Sequence, residues 1–281
     1  MPESNHLTTL MTELKAITLA AGKAVSSIYH SPQELEIKQK ADESPVTAAD
    51  LAAHKLIVAG LSALTPDIPI LSEEALEGLD WQVRQQWHRY WLVDPLDGTQ
   101  EFIHRTGEFT VNIALIEGQD VLMGIVYVPE KDLLYRAIRG QGSFRESQGS
   151  ATPLHAHSLR LDRPVNVVAS RRHGTEALEG LLKRAEEALG DIHKVNMGSS
   201  LKICALAEGK ADWYPRLAPT SEWDTAAAQI VLEEAGGAVV DTGLDPLRYN
   251  TKDSLLNPHF HALADPSYDW AGILLDASSE E

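Results

Sequence analysis

The chain of 281 residues has one cysteine, Cys204, so an internal disulfide is excluded and a reducing compartment fits. Its neighbours Ile203, Ala205 and Leu206 mark it as a packed core thiol rather than a nucleophile. Basic residues are scarce: 24 Lys and Arg against 41 Asp and Glu give a formal charge of −17. This argues against nonspecific nucleic-acid binding, which needs basic surface to displace counterions. A small anionic substrate stays possible, because bound metal ions invert the local field. No apolar run reaches the length of a membrane span. The start, Met1-Pro2-Glu3-Ser4-Asn5-His6, lacks the basic and apolar regions of a secretory signal. A cytoplasmic location is expected, with peripheral attachment to the inner membrane's cytoplasmic face left open. The sequence sets no oligomeric state.

What is present is a globular composition, 43% hydrophobic and 23% charged, at a length that suits two domains. Residues 7–29 carry Leu7, Leu10, Leu14, Ile17, Ala21, Ala24, Val25 and Ile28 at helical spacing. Leu35 and Ile37 alternate with charged residues as in a short strand, 41–45 reads as a polar turn, and a helix is expected from near Thr47. Strands are expected over 68–71, 109–117, 121–128 and 132–138, the middle two as an antiparallel pair. The Gly/Ser-rich segment 140–160 places a boundary between domains 1–150 and 151–281. Beyond it, strands are expected over 165–169, 192–196, 211–217 and from Val239, with helices over 175–189, 200–207 and 223–235. Gly190 and the pair Gly236-Gly237 supply helix stops. This β/α alternation predicts a mixed or parallel sheet covered by helices.

The run Trp91-Leu92-Val93-Asp94-Pro95-Leu96-Asp97-Gly98-Thr99 is the most informative stretch. An apolar strand ends in two aspartates, and Pro95 is expected to turn the chain as it leaves the strand. Both carboxylates and the Leu96 carbonyl then face one point. Converging hard oxygens suit Mg²⁺, which keeps waters for a phosphate to displace. Gly98 permits close approach of an anion, and the amides after Thr99 open a helix N-terminus. Alone, the stretch also fits an ordinary turn, because Asp, Pro and Gly are turn residues.

Three more acidic positions lie at element edges: Asp50 after Thr47, Glu73 in Ser72-Glu73-Glu74, and Asp224 in Trp223-Asp224-Thr225-Ala226-Ala227. Each taken alone is as well explained by a helix cap or an element end. Together, in this order, the four clusters resemble the inositol monophosphatase superfamily of Mg²⁺-dependent, Li⁺-sensitive phosphomonoesterases. The Asp94–Thr99 run, the Trp223–Ala227 helix start with its Gly236-Gly237 stop, Glu73-Glu74 and the Thr47-to-Asp50 spacing carry the resemblance. Within the superfamily, Gln100–Ile103, Arg105–Ile116, Ser199–Lys202 and Ala211–Arg216 are similar to its bacterial 3′(2′),5′-bisphosphate nucleotidases.

The resemblance implies a layered α-β-α-β-α sandwich of mixed α/β and α+β character, with the active site between two domains. It implies two or three Mg²⁺ ions held by Glu73, Asp94, the Leu96 carbonyl, Asp97 and Asp224. Asp50 and Thr99 match the pair that orients the attacking water, with Glu73 beside them. Gly98, Thr99 and Gln100 match the phosphate-receiving turn. Ser199, Lys202, Arg216 and His173 match nucleotide contacts, and Glu73, Asp97 and Asp224 also face the substrate. The implied substrate is a small nucleotide, adenosine 3′,5′-bisphosphate, or its sulfated relative. Two rivals stay open: an inositol or sugar phosphatase of the superfamily, and a non-catalytic metal-binding protein on this fold. Ser72, where many relatives have Gly, is the one departure noted, and it is expected to leave the chemistry unchanged. Lys202 also fits a solvated helix lysine, and His173 a polar loop. His155/His157 and His259/His261 have strand spacing without a third zinc ligand, so they read as surface or core histidines.

Overall fold

The computed structural model describes residues 2–32, 37–39, 45–169 and 176–275. In chain order the first half runs α1 (Pro2–Tyr29), β1 (Ile37–Gln39), β2 (Pro45–Thr47), α2 (Ala48–Leu64), β3 (Ile70–Ser72), α3 (Trp81–Arg84), β4 (Arg89–Asp97) and α4 (Thr99–Ile103). It continues with β5 (Thr110–Glu117), β6 (Asp120–Val128), β7 (Leu133–Ile138), β8 (Ser143–Ser147) and β9 (Ser150–Pro153). The second half holds β10 (Val165–Ala169), α5 (Glu176–Leu189), β11 (Ile192–Asn196), α6 (Leu201–Ala207), β12 (Trp213–Arg216), α7 (Glu222–Glu233), β13 (Ala238–Asp241), β14 (Phe260–Leu263) and α8 (Ala271–Leu274).

Seven strands form one sheet in the order β3-β4-β5-β6-β7-β8-β9, antiparallel except for the β3/β4 pair. Five form a mixed sheet in the order β11-β10-β12-β14-β13. The strand period of two divides the apolar residues of the large sheet between two cores. Trp91, Val93, Val111, Ile113, Leu115, Met123 and Ile125 face α1 and α2. Tyr90, Leu92, Ala114, Ile116, Val126 and Val128 face α6, α7 and the inner side of the smaller sheet. The outer side of that sheet, with Val165, Val167 and Trp213, packs on α5 and the α8 end of the chain. The result is the expected order of layers, α-β-α-β-α. α7 approaches the large sheet closely at Gly124. A Cβ there would lie 2.8 Å from the Ala227 carbonyl oxygen and 2.7 Å from Ile230, so only glycine fits.

Two expectations are corrected. The segment 140–160, read as a boundary, supplies β8 and β9 to the large sheet, and the crossing to the smaller sheet follows Pro153. Its polar residues belong to the edge strand β9 and its neighbour β8 rather than to a linker, since sheet edges are commonly kept polar. Nor does β4 end at Asp94. It runs on through Pro95 to Asp97, with Asp94 opposite Asn112 and Asp97 opposite Thr110. Three steps on β4 therefore match two on β5, which is a β-bulge, a site where proline's missing N–H is tolerated.

Candidate active site

The bulge decides where the acids point. In a regular strand, residues three apart face opposite sides of the sheet. The extra residue returns Asp97 to the side of Asp94, and α7 brings Asp224 to both. Oxygens of Asp94, Asp97 and Asp224 all lie within 4.8 Å of one another. Asp94 is 1% exposed, so the alternative of two solvated turn aspartates does not hold. The Leu96 N–H donates to Asp94 Oδ1 at 3.0 Å, fixing that carboxylate within the bulge.

Two acids come from matching local devices. Thr47 and Ser221 are the N-caps of α2 and α7, and Asp50 and Asp224 stand at the third position of each capping box. The Thr47 N–H donates to Asp50 Oδ2 at 2.7 Å, and the Ser221 N–H to Asp224 Oδ2 at 2.8 Å. Capping therefore uses one oxygen of each carboxylate and orients the other. Asp50 Oδ1 faces Thr99, whose Oγ1 lies 3.3 Å away and 3.4 Å from the Leu96 carbonyl oxygen. Gly98, at φ 90°, caps α4 just before Thr99.

Glu73 follows β3, its N–H bonded to the Val93 carbonyl at 3.1 Å. Burial, then the charges of Glu73, Asp97 and Asp224, hold the Asp94 carboxyl well above the usual range, and the Glu73 side chain hydrogen-bonds it. Burial and Asp97 push Asp224 up to about 8. Burial also raises Asp50, against its bonds to Thr47. Without a cation the cluster is an electrostatic conflict. Oxygen-only donors, mutually repelling and partly protonated, fit a hard divalent cation.

A cavity of about 460 Å³ opens beside the cluster. Asp97, Gly98, Gln100, Ser199, Lys202, Arg216 and Asp224 are among the residues that line it. Lys202 is buried on α6, with Nζ 2.8 Å from the Ser199 carbonyl and over the Tyr214 ring. Burial lowers its pKa to about 8, so the solvated-lysine reading fails. Arg216 is held by the carbonyls of Ala218 and Pro219. The Ser199 hydroxyl is buried without a partner, and Ser199 itself is at φ 46°. His173 lies outside the described residues.

The sequence reading missed Ser200, Asn112 and Thr110. All three hydrogen-bond Asp97 Oδ2. A signal existed for Asn112: an amide inside an otherwise apolar strand needs buried partners. The histidine pairs form no site. His157 bonds Asp212, and His261 is buried beside Trp213. Cys204 is buried, its thiol raised well above its ordinary range by burial. Ser72 is buried and its hydroxyl meets His54 Nδ1 at 2.9 Å, tying β3 to α2 one turn beyond Asp50.

The 3′(2′),5′-bisphosphate nucleotidase CysQ of Escherichia coli is 48% identical over 240 residues, covering 85% of this chain and 94% of that protein. The protein of the same name from Haemophilus influenzae is 35% identical over 265 residues, covering 94% and 96%. Among solved structures, CysQ from Bacteroides thetaiotaomicron, a bacterial member of the inositol monophosphatase family, matches with a TM-score of 0.78 at 41% identity. That match covers 91% of this chain and 97% of the other. The sequence pattern of the inositol monophosphatase family spans residues 6–268. With both acidic signatures inside that span and the layered fold in common, the chain belongs to the inositol monophosphatase family.

Proposed function

We propose that the chain is a Mg²⁺-dependent 3′(2′),5′-bisphosphate nucleotidase. It hydrolyses adenosine 3′,5′-bisphosphate to AMP and phosphate, and 3′-phosphoadenylyl sulfate to adenylyl sulfate, which gives it a role in sulfur metabolism. The observation that carries this reading is one cavity lined by both the acidic cluster and two cationic side chains, Lys202 and Arg216. A substrate with two separated phosphates fits such a space. An inositol monophosphate has no second anion to pair with them. The naming of the similar bacterial nucleotidases points the same way.

Glu73, Asp94, the Leu96 carbonyl, Asp97 and Asp224 would hold two or three Mg²⁺ ions. Bound there, Mg²⁺ supplies charge neutralisation for the phosphate and acidifies water. The chain's own groups position the reactants. Thr99 Oγ1 accepts a hydrogen bond from the attacking water and donates to Asp50 Oδ1. The Thr47 cap holds Asp50 by its other oxygen. The 3.3 Å Thr99–Asp50 distance is long, as such bonds often are before substrate binds. Gly98, Thr99 and Gln100 receive the scissile phosphate, while Ser199, Lys202, Arg216 and His173 bind the nucleotide. The chain through β9 would then act as the metal-bearing domain, and the chain beyond it as the domain of Asp224 and nucleotide recognition.

The test is phosphate release from adenosine 3′,5′-bisphosphate, inositol 1-phosphate and fructose 1,6-bisphosphate, with and without Mg²⁺. We expect Mg²⁺-dependent turnover, fastest on the nucleotide and suppressed by Li⁺. Faster turnover of either sugar phosphate would shift the assignment within the family. No turnover under any of these conditions would favour the non-catalytic reading.

A further inference from the structure

Asp97 comes from the first half of the chain and Asp224 from the second, and Ser200 touches both. Its main-chain N–H donates to Asp97 Oδ2 at 2.6 Å, and its hydroxyl lies 2.7 Å from the same oxygen. The hydroxyl is also 2.6 Å from the Asp224 carbonyl oxygen and accepts from Asn112 Nδ2 at 2.8 Å. Ser200 is 4% exposed and Asn112 1% exposed, so water does not replace these bonds. Asn112 Nδ2 and Thr110 Oγ1 reach Asp97 Oδ2 as well, each at 3.3 Å.

We propose that Ser200, braced by Asn112, is a positioning residue that holds Asp97 and the start of α7 in register for divalent-cation binding. The inference rests on the metal reading above. Four donor-capable atoms lie within reach of one oxygen, which fixes the rotamer of Asp97 and leaves its other oxygen for the cluster. A hydroxyl carries one hydrogen. The main-chain N–H holds Asp97 Oδ2, which leaves the hydroxyl hydrogen free to bond the Asp224 carbonyl, so one residue spans both acceptors. Ser200 therefore sets the distance between ligands supplied by separate halves of the chain. Partners that orient metal ligands typically contribute 10- to 100-fold in metal affinity.

The experiment titrates Mn²⁺ into substrate-free protein, reading free Mn²⁺ by electron paramagnetic resonance, alongside Tm in chelator. Ser200→Ala should weaken Mn²⁺ binding about tenfold, while the chelated protein still unfolds cooperatively near the parent Tm. Asn112→Ala keeps both Ser200 contacts with Asp97, the N–H and the hydroxyl, and should lose less. The double variant should lose less than the product of the two, because both act through one carboxylate. Parent-like Mn²⁺ affinity in Ser200→Ala overturns the proposal. If Ser200→Ala does not fold, parent-like affinity in Asn112→Ala overturns it instead. Failure of the parent itself to bind Mn²⁺ overturns the metal reading, and the proposal with it.

Discussion

Asp94 and Asp97 share one side of the large sheet only because β5 takes two steps, from Asn112 to Thr110, where β4 takes three. The cluster is thus built into a strand irregularity, not into a flexible turn. Its acids are held together before any cation arrives, and burial together with their mutual repulsion raises the proton affinities of Asp94 and Asp224.

Replacing Asp97 by Asn should separate stability from turnover. The Asn oxygen still accepts from Ser200, and its amide turns a donor toward Asp94 and Asp224 in place of a charge. We expect phosphate release to fall more than about 100-fold, with Tm in chelator equal to or above the parent's. Parent-like turnover at limiting Mg²⁺ would remove Asp97 from the site.

The metal-free protein should lose stability as pH rises. Asp224 has a raised pKa in the folded state, about 8, against about 4 unfolded. Its contribution is complete below the unfolded value and is lost as pH passes through the folded one. Tm in chelator should therefore decline between about pH 5 and pH 8, and Asp224→Asn should flatten that decline. Added Mg²⁺ should restore more stability at pH 8 than at pH 5, because binding displaces protons. A decline as steep in Asp224→Asn as in the parent would assign it to other groups.

Lys202→Ala and Arg216→Ala test substrate choice. If these residues hold the uncleaved phosphate, each lost charge-assisted contact should cost about 1.5–3 kcal/mol. KM for the bisphosphate should then rise roughly 10- to 100-fold with kcat little changed. A simple monophosphate should be far less affected. With the Lys202 pKa near 8, KM for the bisphosphate should also climb above pH 8 in the parent and not in Lys202→Ala. Equal losses on both substrates would make the two residues structural.

Gly124→Ala should push α7 away from the large sheet. The added methyl meets the backbone of Ala227, which cannot rotate aside. Urea unfolding should show a loss of about 1–3 kcal/mol. Because α7 carries Asp224, Mg²⁺ affinity should fall too. A stable variant with parent affinity would mean that the helix shifts without disturbing the cluster.

Much of this was legible in the sequence because it depends on local rules. Strand alternation gave β5, β6 and β10, and the Gly190 stop placed the end of α5. The spacing from Thr47 to Asp50 and the Trp223–Ala227 start located both capped helices. The bulge was not legible, since it exists only relative to a partner strand. β8, β9 and β14 were missed because the first two are polar and close one end of the sheet, and the third is a run of only four residues. Ser200 was passed over for a similar reason. A serine before a helix reads as a cap, and its bond to Asp97, 103 residues away, is a tertiary fact.

The paired capping boxes have a consequence for how substitutions at Asp50 and Asp224 would be scored. Each carboxylate starts a helix with one oxygen, while Asp50 meets Thr99 with its other and Asp224 joins the acidic cluster, so a survey of variants would flag both positions for folding and for turnover alike. Asparagine is the informative exception. It retains an oxygen for the cap N–H and discards the charge. Among all replacements at these two positions, a well-folded and inactive Asn variant is the one that reveals which of the two duties the site depends on.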